Sequence, residues 1–191
     1  MRTLTYFVAL TLDGFVCAPD GAFDFFPESP ETGDHLMRSW PELVPSHLRS
    51  RFGIDAPNRN FDTMVQGRGS YQVGLDAGVS SPYGHMREYV FSRSLRYDVD
   101  PNVTVVASDP LTTVRELKQE EGGIGICLVG GPTIAGVLLP EIDELLLKRY
   151  PVVAGSGRPL FEHGFAPQAF RRVESTVFSD GSDYTLFRRA R

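Results

Sequence analysis

Apolar positions along this chain fall into short continuous runs separated by stretches of helical spacing. Leu4-Thr5-Tyr6-Phe7-Val8-Ala9-Leu10 and Ile124-Gly125-Ile126-Cys127-Leu128-Val129 are mostly apolar from end to end, which suits strands buried on both faces. Further strands are predicted over Phe61–Gln66, Glu88–Ser92, Val103–Ala107 and Ile142–Val153, with a short extended piece after the Asp13-Gly14 turn. Ala169–Phe178 and Asp183–Arg189 read as a hairpin across Ser179-Asp180-Gly181-Ser182. Between strands the period changes. Leu111, Val114 and Leu117 make one face of a helix over Leu111–Glu121, and Gly67-Arg68-Gly69-Ser70-Tyr71 opens another. A third helix starts at Pro132, a position where the missing N–H costs nothing, and presents Ile134, Val137, Leu138 and Leu139.

Strand–helix alternation followed by a strand-rich end predicts an α/β fold with a mixed, mostly parallel central sheet flanked by helices and an antiparallel C-terminal edge. Residues 22–60 break the rhythm. Pro27, Pro30, Pro41, Pro45 and Pro57 interrupt them, with room for two short helices near Gly33–Trp40 and Pro45–Phe52. This stretch is too short to bury a core of its own. It is expected to be a helical and loop lid inserted into a single domain spanning residues 1–191.

Composition adds limits. The 191 residues are 41% hydrophobic and 23% charged, an ordinary globular balance. A net charge of −5 gives no basic footprint for nucleic acid or anionic membrane, so an anionic ligand must be held by local arginines or backbone. The two cysteines, Cys17 and Cys127, read as buried reduced thiols, since two cannot build a secreted disulfide framework. With no leader-like segment and no membrane-length apolar run, a cytoplasmic setting is expected. His35, His47, His85 and His163 have no metal-ligand spacing, and no metal is expected.

Three strand ends share one chemistry. Gly67-Arg68-Gly69-Ser70, Ser92-Arg93-Ser94 and Gly130-Gly131-Pro132-Thr133 each place small residues, hydroxyls or arginine just beyond a strand, where open α/β sheets bind ligands. Arginine forks suit phosphate, and a glycine turn feeding a helix leaves backbone N–H groups accessible to it. Taken singly, each loop is equally a surface turn. The usual Gly-x-Gly-x-x-Gly fingerprint is missing, because Thr11-Leu12-Asp13-Gly14-Phe15 follows the first strand.

The ordered set Leu12-Asp13-Gly14-Phe15, Gln66-Gly67-Arg68-Gly69-Ser70-Tyr71, Ser92-Arg93-Ser94-Leu95, Val129-Gly130-Gly131 and Gly155-Ser156-Gly157-Arg158-Pro159-Leu160-Phe161 resembles the dihydrofolate reductase-like family. The branch it is similar to is the C-terminal reductase domain of the riboflavin-biosynthesis deaminase/reductase. The resemblance implies NADPH as cofactor. It implies backbone contacts from Ala9 and Val16 to the nicotinamide carboxamide, phosphate contacts from Gly67, Arg68 and Ser70, and a 2′-phosphate site at Ser92 and Arg93. Gly130 and Gly131 would lie against the nicotinamide and pyrophosphate. Pro132 stands in place of the family's third glycine, with Thr133 adding a hydroxyl. A homodimer is expected on the same ground.

The resemblance implies an NADPH-dependent oxidoreductase acting on a small heterocyclic compound, dihydrofolate-like or ribosylaminopyrimidine-like. A non-enzymatic nucleotide-binding or regulatory protein, or a flavin-dependent reductase, remains open on the same fold. Reduction also needs a proton. Asp13 reads either as a turn cap or as the donor. Asp24, between Phe23 and Phe25, reads either as a loop carboxylate or as an acid kept protonated by apolar neighbours. Phe23, Phe25, Phe26, Trp40 and Tyr71 offer either a wall for a flat substrate or a lid core. The Gly155–Phe161 segment reads as a tight connection with Phe161 packed inward.

Overall fold

The structure is a computed structural model that describes residues 1–190. Its centre is an eight-stranded sheet. Chain order supplies β1 (Leu4–Leu10), β2 (Phe15–Cys17), α1 (Pro30–Ser39), α2 (Ser46–Arg49), β3 (Phe61–Gly67), α3 (Arg68–Asp76), β4 (Arg87–Phe91) and β5 (Val103–Val106). Then follow α4 (Pro110–Gln119), β6 (Gly125–Val129), α5 (Pro132–Leu138), β7 (Glu144–Arg149), β8 (Arg158–Pro159), β9 (Phe170–Val177) and β10 (Asp183–Arg189). The sheet runs β5-β4-β3-β6-β1-β7-β10-β9. The first six strands are parallel and β10 and β9 antiparallel, the mixed architecture expected. β2 and β8 pair separately as a two-stranded ribbon.

Local chemistry explains the boundaries. Pro110 and Pro132 occupy first-turn positions of their helices, and Gly181 takes φ +84° in the β9–β10 turn, where a side chain would be strained. The strand expected to reach Val153 stops at Arg149, because Pro151 cannot donate to a ladder. Leu139 leaves the helix for a 3-10 turn with Pro140, and Val137 faces solvent, so α5 buries a narrower stripe than its sequence suggested.

Each sheet face has its own cover. Tyr6, Val8 and Leu10 of β1 pack with Ile126, Leu128, Leu145 and Leu147 against Val114 and Leu117 of α4 and Ile134, Ala135 and Leu138 of α5. Trp40 and Leu43 from residues 22–60 pack on the opposite face against Phe61, Met64, Cys127, Leu146 and Tyr184. Glu42 anchors that stretch, its Oε1 accepting from the N–H groups of Asn60 and Phe61. Tyr71 of α3 lies elsewhere, fully buried with Val90, Val103 and Val105. The five aromatics therefore do not form one wall. Cys127 is buried as expected, whereas Cys17 on β2 is only half-buried; both are free thiols.

Candidate functional site

At the carboxyl ends of the parallel strands, the connections leaving β3, β4, β5 and β6 converge on one cleft of about 850 Å³. Its walls include Gly67 and Arg68 from the first loop, Ser92 and Arg93 from the second, and Gly131 and Thr133 from the fourth. Arg68 is half-buried, and its Nη1 is buried with no hydrogen-bond partner among the described residues. An unpaired guanidinium N–H in a protein interior is costly, and the side chain that carries it lines this cleft, where a bound anion would relieve that cost. α3 also starts at Gly67 without a side-chain cap, leaving its first N–H groups to other partners.

Side chains around the cleft divide the work. Ser92 Oγ accepts from the N–H groups of Ser94 and Leu95, at 3.2 and 3.0 Å, and so shapes the turn that exposes Arg93. Its own hydrogen is left to donate. A Cβ on Gly131 would meet no atom within 4 Å, so the backbone there is open to approach. At Gly130 a Cβ would lie 3.4 Å from Gly67 N, Ile134 Cγ2 and Ser70 Oγ. Gly130 and Ser70 therefore form packing behind the turn and not its lining. Pro132 is buried, its carbonyl accepting from Glu162 N–H. Ala9 and Val16 also lie outside the cleft lining, on β1 and β2. The β1–β6 ladder ends at the Phe7–Val129 pair, leaving the β6-facing edge of Val8–Leu10 outside it.

Of the two readings left open for each acid, the structure favours the structural one, a cap for Asp13 and a loop carboxylate for Asp24. Asp13 accepts from Thr11 Oγ1 at 2.6 Å and from the N–H groups of Ala154 and Gly155 at 3.1 and 2.7 Å. The Thr11 hydroxyl first, and those amides after it, hold the carboxyl down to about 2. Asp13 is an ionised clamp between two loops, with no proton to give near neutrality. Asp24 is exposed, and Phe23 and Phe25 beside it are exposed as well. The apolar surround expected for it is missing.

Two contributors were not legible as site residues. Arg158 lines the cleft from β8, donating from Nε to Glu162 Oε1 at 2.9 Å and from Nη2 to Thr133 Oγ1 at 2.8 Å. The segment that carries it is a tight connection as read, with the Phe161 ring 5.5 Å from that of Tyr6. Ala107, Ser108 and Asp109 add a wall from the loop after β5, with the Asp109 carboxylate committed to Thr112 N and Oγ1 at the start of α4. A second cleft, of about 720 Å³, lies at the amino ends of the strands. Its one deeply buried cation, Arg2, is already spent on Asp62, Glu120 and Thr63.

This cleft lies on a chain whose residues 2–184 match the RibD C-terminal domain model. The chain belongs to the RibD C-terminal domain family. RibD C-terminal domains are reductase domains, which places the chain among oxidoreductases at the coarse level. The uncharacterized protein YwjB of Bacillus subtilis is 28% identical over 92% of this chain and 91% of its own length. Among solved structures, a proposed riboflavin biosynthesis protein from Shewanella sp. PV-4 superposes with a TM-score of 0.70 at 22% identity, covering all of both chains. A diaminohydroxyphosphoribosylaminopyrimidine deaminase/5-amino-6-(5-phosphoribosylamino)uracil reductase from Thermotoga maritima gives a TM-score of 0.66 at 17% identity. That likeness covers 99% of this chain and 57% of the Thermotoga chain. At these identities the two structures share the RibD-like, dihydrofolate reductase-like fold with this chain. Among the described residues, no helix is long and apolar enough to cross a membrane.

Proposed function

We propose that the chain is an NADPH-dependent reductase of a small heterocyclic compound, ribosylaminopyrimidine-like or dihydrofolate-like. The observation that carries this reading is the buried Arg68 Nη1, without a partner among the described residues, on a side chain that lines a cleft with Arg93 and Arg158. Three arginines around one strand-end cleft, on a chain of net charge −5, are a local device for a polyanionic ligand. The substrate class follows from family membership and from the name of the Thermotoga neighbour.

NADPH, when bound, supplies a hydride. Arg68 and the α3 start would hold the diphosphate, and Arg93 the 2′-phosphate, with Ser92 donating its hydroxyl. Gly131 leaves the backbone open to the cofactor, and Pro132 fixes the first φ of the following helix. The free edge of Val8–Leu10 would orient the carboxamide. The test is NADPH oxidation followed by absorbance, with 5-amino-6-(5-phosphoribosylamino)uracil and 7,8-dihydrofolate as acceptors. Turnover with either is the expected result. No oxidation with either, together with no NADPH binding, would remove the reading.

A further inference from the structure

The chain holds only two lysines, against an abundance of arginine. Lys118 is locked, with Nζ 2.7 Å from Asp143 and 3.7 Å from Glu141. Lys148 is different. It sits near the carboxyl end of β7, half-buried, and no carboxylate pairs with it among the described residues. Its Nζ instead lies 4.7 Å from the ring centre of Tyr150 and 5.8 Å from that of Tyr184.

Sheet register places this amine at an opening. Lys148 pairs with Ala9 on one side and Tyr184 on the other, and Phe7 pairs with Val129. In-register neighbours share a face, so Phe7, Ala9, Val129, Lys148 and Tyr184 all point to the side covered by Trp40 and Leu43. Phe7, Ala9 and Val129 belong to the middle of an eight-stranded sheet, yet they are only half-buried. On the other face Tyr6, Val8, Leu10 and Leu128 are buried. The cover thus stops short of the strand ends, leaving an apolar patch with one amine at its side. β6 leaves that patch through Gly130 and Gly131, and Gly131 lines the arginine cleft. Lys148 therefore lies two strand spacings, roughly 10 Å, from that turn.

We propose that this patch receives the reducible group and that Lys148 is the catalytic proton donor. The inference rests on the reductase reading given above. The carbon of the substrate's C=N or C=O bond takes a hydride from the reduced nicotinamide, and the π electron pair moves to the heteroatom. The heteroatom takes a proton from Lys148 Nζ; Lys148 is left neutral and regains a proton from water, and the nicotinamide departs oxidised. Arginine could not do this, because its guanidinium keeps its proton at any physiological pH, whereas a desolvated ammonium can release one. Burial does push the Lys148 amine down, and the Asp180 carboxylate in the β9–β10 turn partly opposes it. The other groups around it are the Tyr150 phenol from the end of β7, with Phe26 stacked on that ring, and the Tyr184 phenol from β10, with His35 of α1 beside that ring.

The test labels the wild-type chain with trinitrobenzenesulfonate across pH and reads each lysine peptide by mass spectrometry, with and without saturating NADP⁺. NADP⁺ binding is measured separately by calorimetry. Expected is a Lys148 reactivity midpoint well below that of an ordinary lysine, and labelling slowed at least fivefold by NADP⁺. Calorimetric binding with Lys148 labelling unchanged overturns the proton-donor assignment and leaves the cofactor reading standing. No binding of NADP⁺ or NADPH overturns both. As a second arm, Lys148→Arg should bind NADPH within twofold of wild type while reducing either heterocyclic acceptor at least 100-fold more slowly; an unimpaired Lys148→Arg rejects the assignment.

Discussion

Arg158 and Glu162 face one another at the cleft rim, Nη2 to Oε1 at 2.8 Å, each about one-third exposed. Glu162 also accepts from Thr133 Oγ1 at 2.7 Å, so one carboxylate holds both a cleft arginine and a cleft hydroxyl. A phosphate entering the cleft competes with that carboxylate. Glu162→Gln should therefore tighten NADPH about three- to fivefold, within the ~1 kcal/mol an exposed pair commands, and Arg158→Ala should weaken it. Calorimetric titration of both variants checks this; weaker binding by Glu162→Gln would show that Arg158 must stay pinned.

Arg93 is exposed on the turn that Ser92 shapes. Arg93→Ala should weaken NADPH by about 1.5–3 kcal/mol, roughly 10- to 150-fold, the value of a hydrogen bond to a charged group. NADH should change little. Equal loss for both coenzymes would remove Arg93 from the 2′-phosphate role.

Two nearby glycines should behave in opposite ways. A side chain at Gly131 meets nothing within 4 Å, so Gly131→Val should keep the thermal midpoint within a few degrees while NADPH binding is lost. A Cβ on Gly136, one turn into α5, would clash with the Glu162 carbonyl. Gly136→Ala should therefore cost stability outright, by about 1–3 kcal/mol as overpacking. Thermal denaturation beside ligand titration separates the two effects.

His85 links α2 to the loop before β4. Its Nδ1 faces Ser46 Oγ and its Nε2 the Glu42 carbonyl, both at 2.8 Å. Burial, the largest cause, lowers its pKa below the ordinary 6.5, and burial shifts His35 the same way. Because the folded values are depressed, this contribution is fully present above pH 6.5 and is lost as pH falls below it. The thermal midpoint should be level from pH 7 to 8 and decline from 6.5 towards 5, with His85→Gln reducing that slope. An unchanged slope in the variant would clear His85 of the effect.

What was legible in the sequence was whatever a local signal encodes. Pro110 and Pro132 marked helix starts, Gly181 marked the hairpin, and apolar runs marked six parallel strands in order. Arginines just beyond strand ends were legible too, since every parallel strand delivers its loop to the same edge. The two readings of Asp13, turn cap or donor, stayed open because the amides that hold it belong to Ala154 and Gly155, 141 and 142 residues away. Arg158 escaped notice as a cleft residue because only the β2–β8 pairing fixes where its short strand lies. Lys148 carries no local signal of its own, being one residue within the Ile142–Val153 run. Only register across β1, β7 and β10 shows it flanking an opening in the sheet's cover.

A crystal soaked with NADPH tests the central claim most directly. Diphosphate oxygens are expected within hydrogen-bond distance of the Arg68 guanidinium, the 2′-phosphate beside Arg93, and the nicotinamide over the Phe7–Ala9 patch. NADPH lodged by Arg2 and Gly123 at the amino ends of the strands, or no bound coenzyme at saturating concentration, would contradict it.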